Sequence, residues 1–371
     1  MKGLELNRKF AMDVVINLIN EYFPFLADKY AIGLIGYGSD VLGYDDEISR
    51  DHEWGPRCQV WLSEDHYKKY GKEIDKMLSV KLPLKFLGYY TRYKVDNDIP
   101  VLVPSEAIEG SMHHVALTTV WRYLKIQYEI ESEKPTYIDW LCLPEQKLLE
   151  LTRGKIFYDP IGDISLIREK FNYLPEEVWC FKLMYTWMNI DHLEIVGLCG
   201  KRGDILSAKL ALHKIVDCII RLTFLLNRKY CPGTPKWISK EFYNLPRLAT
   251  EIGEKIESCL MTNDIECIVN TLEEVFLLFL REHNRLQITS KIQFDQVKLS
   301  RGITSFSLRT VVDALNKKLP AELQNLEMQG ACDQWITNSN ILIWSEQYAK
   351  FKEIYKCSSN KRRDNIGDMI I

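Results

Sequence analysis

The chain has 371 residues, 46% hydrophobic and 27% charged, the balance of a folded globular protein and not of a disordered one. Its 48 basic and 51 acidic side chains leave a net charge of −3, so no global field would draw it to nucleic acid or to an anionic membrane. Nineteen glycines and thirteen prolines without period exclude collagen-like and low-complexity classes.

Met1 to Arg8 lacks the apolar core of a signal peptide. The most apolar stretch, Ile215 to Leu226, is cut by Asp217, Arg221 and Thr223, which excludes a membrane span there. The ten cysteines form no CxxC pair, and several, such as Cys180, Cys218 and Cys267, fall inside apolar helical patterns. A cytoplasmic protein with free thiols is expected.

In chain order, residues 8–28 repeat apolar side chains at helical spacing through Phe10, Val14, Val15, Leu18, Ile19 and Tyr22, with Asn7 as the expected cap. Ala31 to Tyr37 reads as a short buried strand ending at Gly38-Ser39. Residues 40–57, rich in glycine and charge, read as a loop. Cys58 to Leu62 is a second strand, and Ser63 caps a helix running to about Leu78. Tyr89 to Tyr93 and Val101 to Val103 read as further strands.

The pattern switches near residue 105. Helical periodicity fills 115–128, 144–151, 164–172, 176–190, 204–228, 246–260 and 264–283. One interruption, residues 154–160, reads as a strand entering a turn. The 204–228 segment is apolar around most of its circumference, as expected of the central helix of a bundle. The 227–240 stretch, with Pro232-Gly233 and Pro235, reads as a loop. Helices return near 305–317 and 343–356, and the tail from Cys357 reads as frayed. An α+β fold is expected: a mixed sheet with flanking helices over 1–160, a helical bundle over 161–290, and a mostly helical extension over 291–371.

The informative run is GSDVLGYDDEISRDHEWGPR, residues 38–57. An apolar strand delivers Gly38-Ser39, where a glycine lets a phosphate approach the backbone and the serine hydroxyl and N–H can hold it. Asp51 and Glu53 alternate just before the second strand. If the strand extended to them, both carboxylates would share one face, roughly 6–7 Å apart along the chain. Carboxylates so placed can share a hard divalent cation.

Apolar residue, Gly, Ser, eleven residues, Asp, any residue, Glu: this pattern resembles the signature of the polymerase-beta-like nucleotidyltransferases, kanamycin nucleotidyltransferase among them. The longer run resembles, more closely, the uncharacterised bacterial family called domain of unknown function 4037. Further resemblance follows at Thr152 to Asp159, Tyr230 to Trp237, and Gly330-Ala331-Cys332-Asp333-Gln334-Trp335. The resemblance implies a nucleotidyltransferase-fold domain followed by a helical domain. It implies Gly38 and Ser39 on a nucleotide triphosphate, Asp51 and Glu53 as catalytic acids holding a two-magnesium site, and ATP as the expected substrate. One departure stands out. The superfamily places a third carboxylate on a later strand, and this chain has Ala116 at that place, with Asp96, Asp98 and Glu106 nearby in sequence.

Around this centre, Arg57 and Lys236 are expected to contact nucleotide, because a guanidinium or an ammonium pairs with phosphate. Arg57 could equally form a structural pair with Asp51 or Glu53. Asp45, Asp46, Glu47 and Arg50 are expected as outer supports or substrate contacts. In the helical part, His213, Asp217 and Arg221 fall at i, i+4 and i+8, one polar stripe on an apolar helix. The expected activity is magnesium-dependent transfer of a nucleoside monophosphate from a nucleoside triphosphate to a hydroxyl acceptor. The acceptor expected is a small molecule, with no membrane or nucleic-acid partner. The alternatives are a non-catalytic nucleotide-binding protein of the same fold and a protein-adenylating enzyme.

Overall fold

The computed structural model describes residues 1–356 apart from 51, 97, 99–100, 108, 191, 294–295, 299–303, 307 and 328. The chain divides into two compact units, and the division does not follow chain order. Met1–Pro135 and Lys147–Asn172 make the first; Thr136–Gln146 and the chain from Tyr173 onward make the second.

The strands of the first unit are β1 Tyr30–Leu34, β2 Cys58–Leu62, β3 Lys85–Phe86, β4 Tyr89–Tyr90, β5 Arg92–Val95, β6 Leu102–Pro104, β7 Met112–His113, β8 Val115–Thr118 and β9 Lys155–Tyr158. Four of them form a mixed sheet in the order β8-β2-β1-β9. β1 and β2 are antiparallel neighbours, with Ala31 opposite Trp61 and Gly33 opposite Gln59, as the short apolar runs led one to expect. β8 runs parallel to β2, and β9 antiparallel to β1. β5, β6 and β7 form a second, three-stranded sheet.

Alternation along the strands sorts the faces of the mixed sheet. Tyr30, Ile32, Val60, Leu62 and Val115 point to one side. There they pack with Phe10, Ala11, Val15 and Ile19 of the N-terminal helical segment and Ile74 and Leu78 of the helix Glu64–Lys81. Full burial of each such side chain is worth roughly 1.5–3 kcal/mol, so this layer holds the sheet to its helices. Ser63 caps the Glu64–Lys81 helix, accepting from the His66 N–H, as expected.

Several expectations are corrected. Asn7 is not a cap: the first helix spans Gly3–Phe10, and Asn7 is buried on its inner face with Gly3, Leu6 and Phe10. The 115–128 segment is not all helix. Val115–Thr118 is a strand, and the helix Val120–Tyr128 starts after Thr119, whose hydroxyl accepts from the Arg122 N–H. Pairing with β2 overrides the local periodicity there. β1 stops at Leu34, short of Tyr37, because Gly36 takes φ +98°. The 227–240 loop ends early, since Pro235 opens a helix, Pro235–Tyr243, and proline suits the first helical turn, where its missing N–H is not needed.

The second unit is helical. Its longest helix, Ile205–Leu226, is capped by Asp204 and buries eleven side chains. It packs against Glu176–Asn189, Leu193–Lys201, Pro235–Tyr243, Ala249–Met261 and Ile265–Arg285, which makes it the bundle's centre. A small hairpin joins β10 Gln296–Lys298 to β11 Thr304–Phe306, within the region expected to turn helical near 305, and the helix Arg309–Asn316 follows. The nine described cysteines are free, and Cys357 lies outside the described residues. Among the described residues, no helix is long and apolar enough to cross a membrane.

Candidate nucleotide site

β1 ends in a turn built by glycine. Gly36 at φ +98°, Gly38 at φ +127° and Gly43 at φ +81° take conformations that side chains rarely adopt. Between the last two lies the single helical turn Ser39–Leu42. The turn is held from both sides. The Gln59 side chain donates to the Ile35 carbonyl at 2.9 Å and accepts from the Ile35 N–H at 3.0 Å, extending the β1–β2 ladder beyond Leu34. The Gly36 N–H donates to the Glu150 carbonyl, and the Gly154 N–H to the Val41 carbonyl. The 152–159 segment therefore forms the other wall, as β9 and its approach.

The acidic run resolves into distinct jobs. Asp40 is buried and bound to Arg57. Asp45 is also buried; its Oδ2 accepts from the Gly3 N–H at 2.7 Å and the Trp54 indole N–H at 3.3 Å. It thereby ties the N-terminal helix to the loop. Asp46 Oδ1 accepts from the Ser49 N–H and hydroxyl at 3.0 and 2.9 Å and shapes the short turn Ile48–Arg50. Arg50 stacks on the Trp54 ring at 4.6 Å and donates to the Met1 carbonyl. Glu47 is exposed.

Glu53 lies outside any strand. Its φ is +52°, its N–H donates to the Leu102 carbonyl at 2.8 Å, and β2 begins only at Cys58. The period-2 argument therefore does not reach it, which corrects the expected register. Asp51 lies outside the described residues. Burial first raises the Tyr37 phenol, Arg57 opposes that, and the charge of Glu53 raises it further. Tyr37 immediately precedes Gly38.

Ala116 sits on β8 opposite Gln59 and is exposed, so the strand beside β2 offers no carboxylate at that position. Glu106 accepts from the Tyr90 hydroxyl, and Asp96 from the Asp98 N–H. Lys236 belongs to the second unit, with its ammonium 4.8 Å from the Trp237 ring centre. Asp217 and Arg221 form an i,i+4 ion pair at 2.8 Å, while His213 is exposed.

Sequence reading missed Asn7. Its amide bridges the Asp40 carboxylate and the Arg57 N–H, at 3.0 and 2.8 Å. The available signal was an asparagine on the apolar stripe Gly3, Leu6, Asn7, Phe10.

The family model described as Domain of unknown function (DUF4037) matches residues 140–238. That span includes the 152–159 and 230–237 segments, while the 38–57 run and 330–335 lie outside it. A solved structure described as a nucleotidyltransferase-like protein from Exiguobacterium sibiricum 255-15 is similar at 12% identity and a TM-score of 0.34, over 82% of this chain and 89% of that one. No curated protein matches. The 140–238 segment thus matches the family that the motif run resembles, domain of unknown function 4037.

Proposed function

We propose that the protein is a magnesium-dependent nucleotidyltransferase that moves a nucleoside monophosphate, from ATP by preference, onto a hydroxyl of a small molecule in the cytoplasm. The observation that carries this reading is the turn at the end of β1. Gly36 and Gly38, both at positive φ, bring Ser39 to the head of the acidic loop that carries Glu53. A glycine-bordered backbone and a serine hydroxyl suit a triphosphate.

The acids fit a hard cation. Asp40 and Asp45 are engaged by donors of the protein itself, and Glu53, with Asp51, is proposed to hold magnesium. Among the described residues no three His, Cys, Asp or Glu side chains gather. Magnesium asks for only one or two carboxylates, taking its other ligands from water and phosphates. Bound there, it would neutralise charge on the phosphates and acidify the acceptor hydroxyl. In this reading Gly38 and Ser39 orient the triphosphate so that the acceptor oxygen bonds to the α-phosphorus as the bond to pyrophosphate breaks. Lys236 is proposed as a further phosphate contact.

A second reading, nucleotide binding without transfer, is favoured by Ala116 on β8. Incubation with each α-labelled triphosphate, magnesium and a metabolite extract separates the two. Label in small molecules supports transfer, and binding without product supports the second reading. Label in protein points to adenylation of side chains, and absence of any nucleotide binding refutes all three. With 100-fold excess of ligand over Kd, binding should add about 2.7 kcal/mol to stability. Asp51→Asn should abolish the magnesium-dependent part of that gain in a thermal melt while leaving the apo protein as stable or more so.

A further inference from the structure

We propose that the buried Asp40–Arg57 pair, bridged by Asn7, is a positioning device that holds the Gly38–Ser39 turn open toward its ligand. The identity of that ligand rests on the nucleotide reading above; the device rests on geometry alone.

Asp40 and Arg57 are 2% and 3% exposed, and Asn7 is fully buried. The Asp40 carboxylate accepts four hydrogen bonds. Oδ1 takes the Val41 N–H and one Arg57 Nη2–H; Oδ2 takes the Arg57 Nε–H at 3.2 Å and the Asn7 amide at 3.0 Å. Arg57 Nη2 also donates to the Tyr37 carbonyl at 3.0 Å. One guanidinium thus grips the residues before and after the Gly38–Ser39 step. Asn7 closes the circuit by accepting from the Arg57 N–H. Three separate segments meet here: the first helix, the turn after β1 and the entry to β2.

The consequence follows from peptide planarity. The Tyr37 carbonyl points at Arg57, and in a trans peptide the N–H lies opposite the carbonyl. The Gly38 N–H is therefore turned away from the buried pair. The pair also fills the space on its own side of Gly38, since a Cβ there would lie 2.3 Å from Arg57 Nη2 and 2.4 Å from Asp40 Oδ1. Burying two ions carries a desolvation cost that close-packed apolar side chains would avoid. What the ions add is direction, because the planar guanidinium fork fixes the Tyr37 carbonyl and the Asp40 carboxylate relative to each other.

The test is hydrogen exchange over residues 36–42 in the full chain, together with magnesium–ATP titration, for Asp40→Asn, Arg57→Lys and the milder Asn7→Ser. Exchange in that segment should accelerate on the order of tenfold in the first two and less in the third, with residues 205–226 unchanged. Nucleotide affinity should fall together in Asp40→Asn and Arg57→Lys. Unchanged exchange over 36–42 in all three variants overturns the proposal. So does tighter nucleotide binding in Asp40→Asn with weaker binding in Arg57→Lys, because Arg57 would then be a phosphate contact released from Asp40. If the wild type binds no nucleotide, the functional reading fails and the exchange data still decide the device. If the two charged-site variants unfold, Asn7→Ser decides it.

Discussion

Two buried ion clusters, one in each unit, show how differently the same chemistry is used. In the first unit, Asp40 and Arg57 are seventeen residues apart and brace one turn. In the second, the Lys182 ammonium lies 2.7 Å from Glu145 and 2.9 Å from Asp333, joining residues almost two hundred positions apart. The Asp333 carboxylate also accepts from the Glu145 N–H at 2.8 Å, and Glu145 accepts from the Cys231 N–H at 2.6 Å. Segments noted separately in the sequence, 230–237 and 330–335, thus meet at Glu145. Burial alone would drive the proton off Lys182, but Asp333 and Glu145 outweigh it and hold its pKa above the usual range. The contrast teaches that a buried ion pair can brace a short loop or tie together segments far apart along the chain.

The largest expected effect tests the second use. Lys182→Met leaves two buried carboxylates uncompensated and should cost about 3–5 kcal/mol in urea unfolding. Adding Glu145→Gln and Asp333→Asn should recover much of that loss. A loss under about 1 kcal/mol would mean that water reaches the cluster. Gly38→Ala probes the first use. At φ +127° and against Arg57, the added methyl should cost about 1–3 kcal/mol in a thermal melt, with faster exchange confined to residues 36–42. A cost spread evenly over the unit would break the comparison, because the turn would then be no separate device.

The smallest effect comes from a third cluster, in which Glu282 accepts from Arg247 and Arg285, each through two nitrogens. Burial raises the Glu282 carboxyl, but hydrogen bonds from the two arginines outweigh it and bring the pKa down to about 2. Its folded pKa lies below its unfolded value of 4.5, so its contribution is complete above pH 4.5 and is lost as pH falls through 2. Both arginines are nearly half exposed, so solvent screening reduces the contribution to about 1 kcal/mol. Comparing wild type with Glu282→Gln in urea at pH 7 and pH 3 should show the difference shrinking toward acid. A constant difference would show that the pair has no electrostatic role.

Much of the architecture was legible because its signals are local. Short apolar runs marked β1 and β2 as strands, and apolar side chains around most of its circumference marked Ile205–Leu226 as the bundle's centre. The cap residues Ser63 and Asp204 act as their side chains suggest. The Gly38-Ser39 turn was legible because only glycine tolerates the backbone it needs. Other features depended on partners distant in sequence. Val115–Thr118 became a strand because β2 offered it a hydrogen-bonding edge. Asn7 became a bridge because Asp40 and Arg57 arrive beside it. Glu53 left the strand register because Leu102 captured its N–H and the backbone turned to φ +52°. Local steric preference and hydrophobic period are properties of a short window, and the sequence by itself determined what they control. Which buried charge finds which partner depends on atoms brought together from far along the chain, and only the tertiary structure decided that.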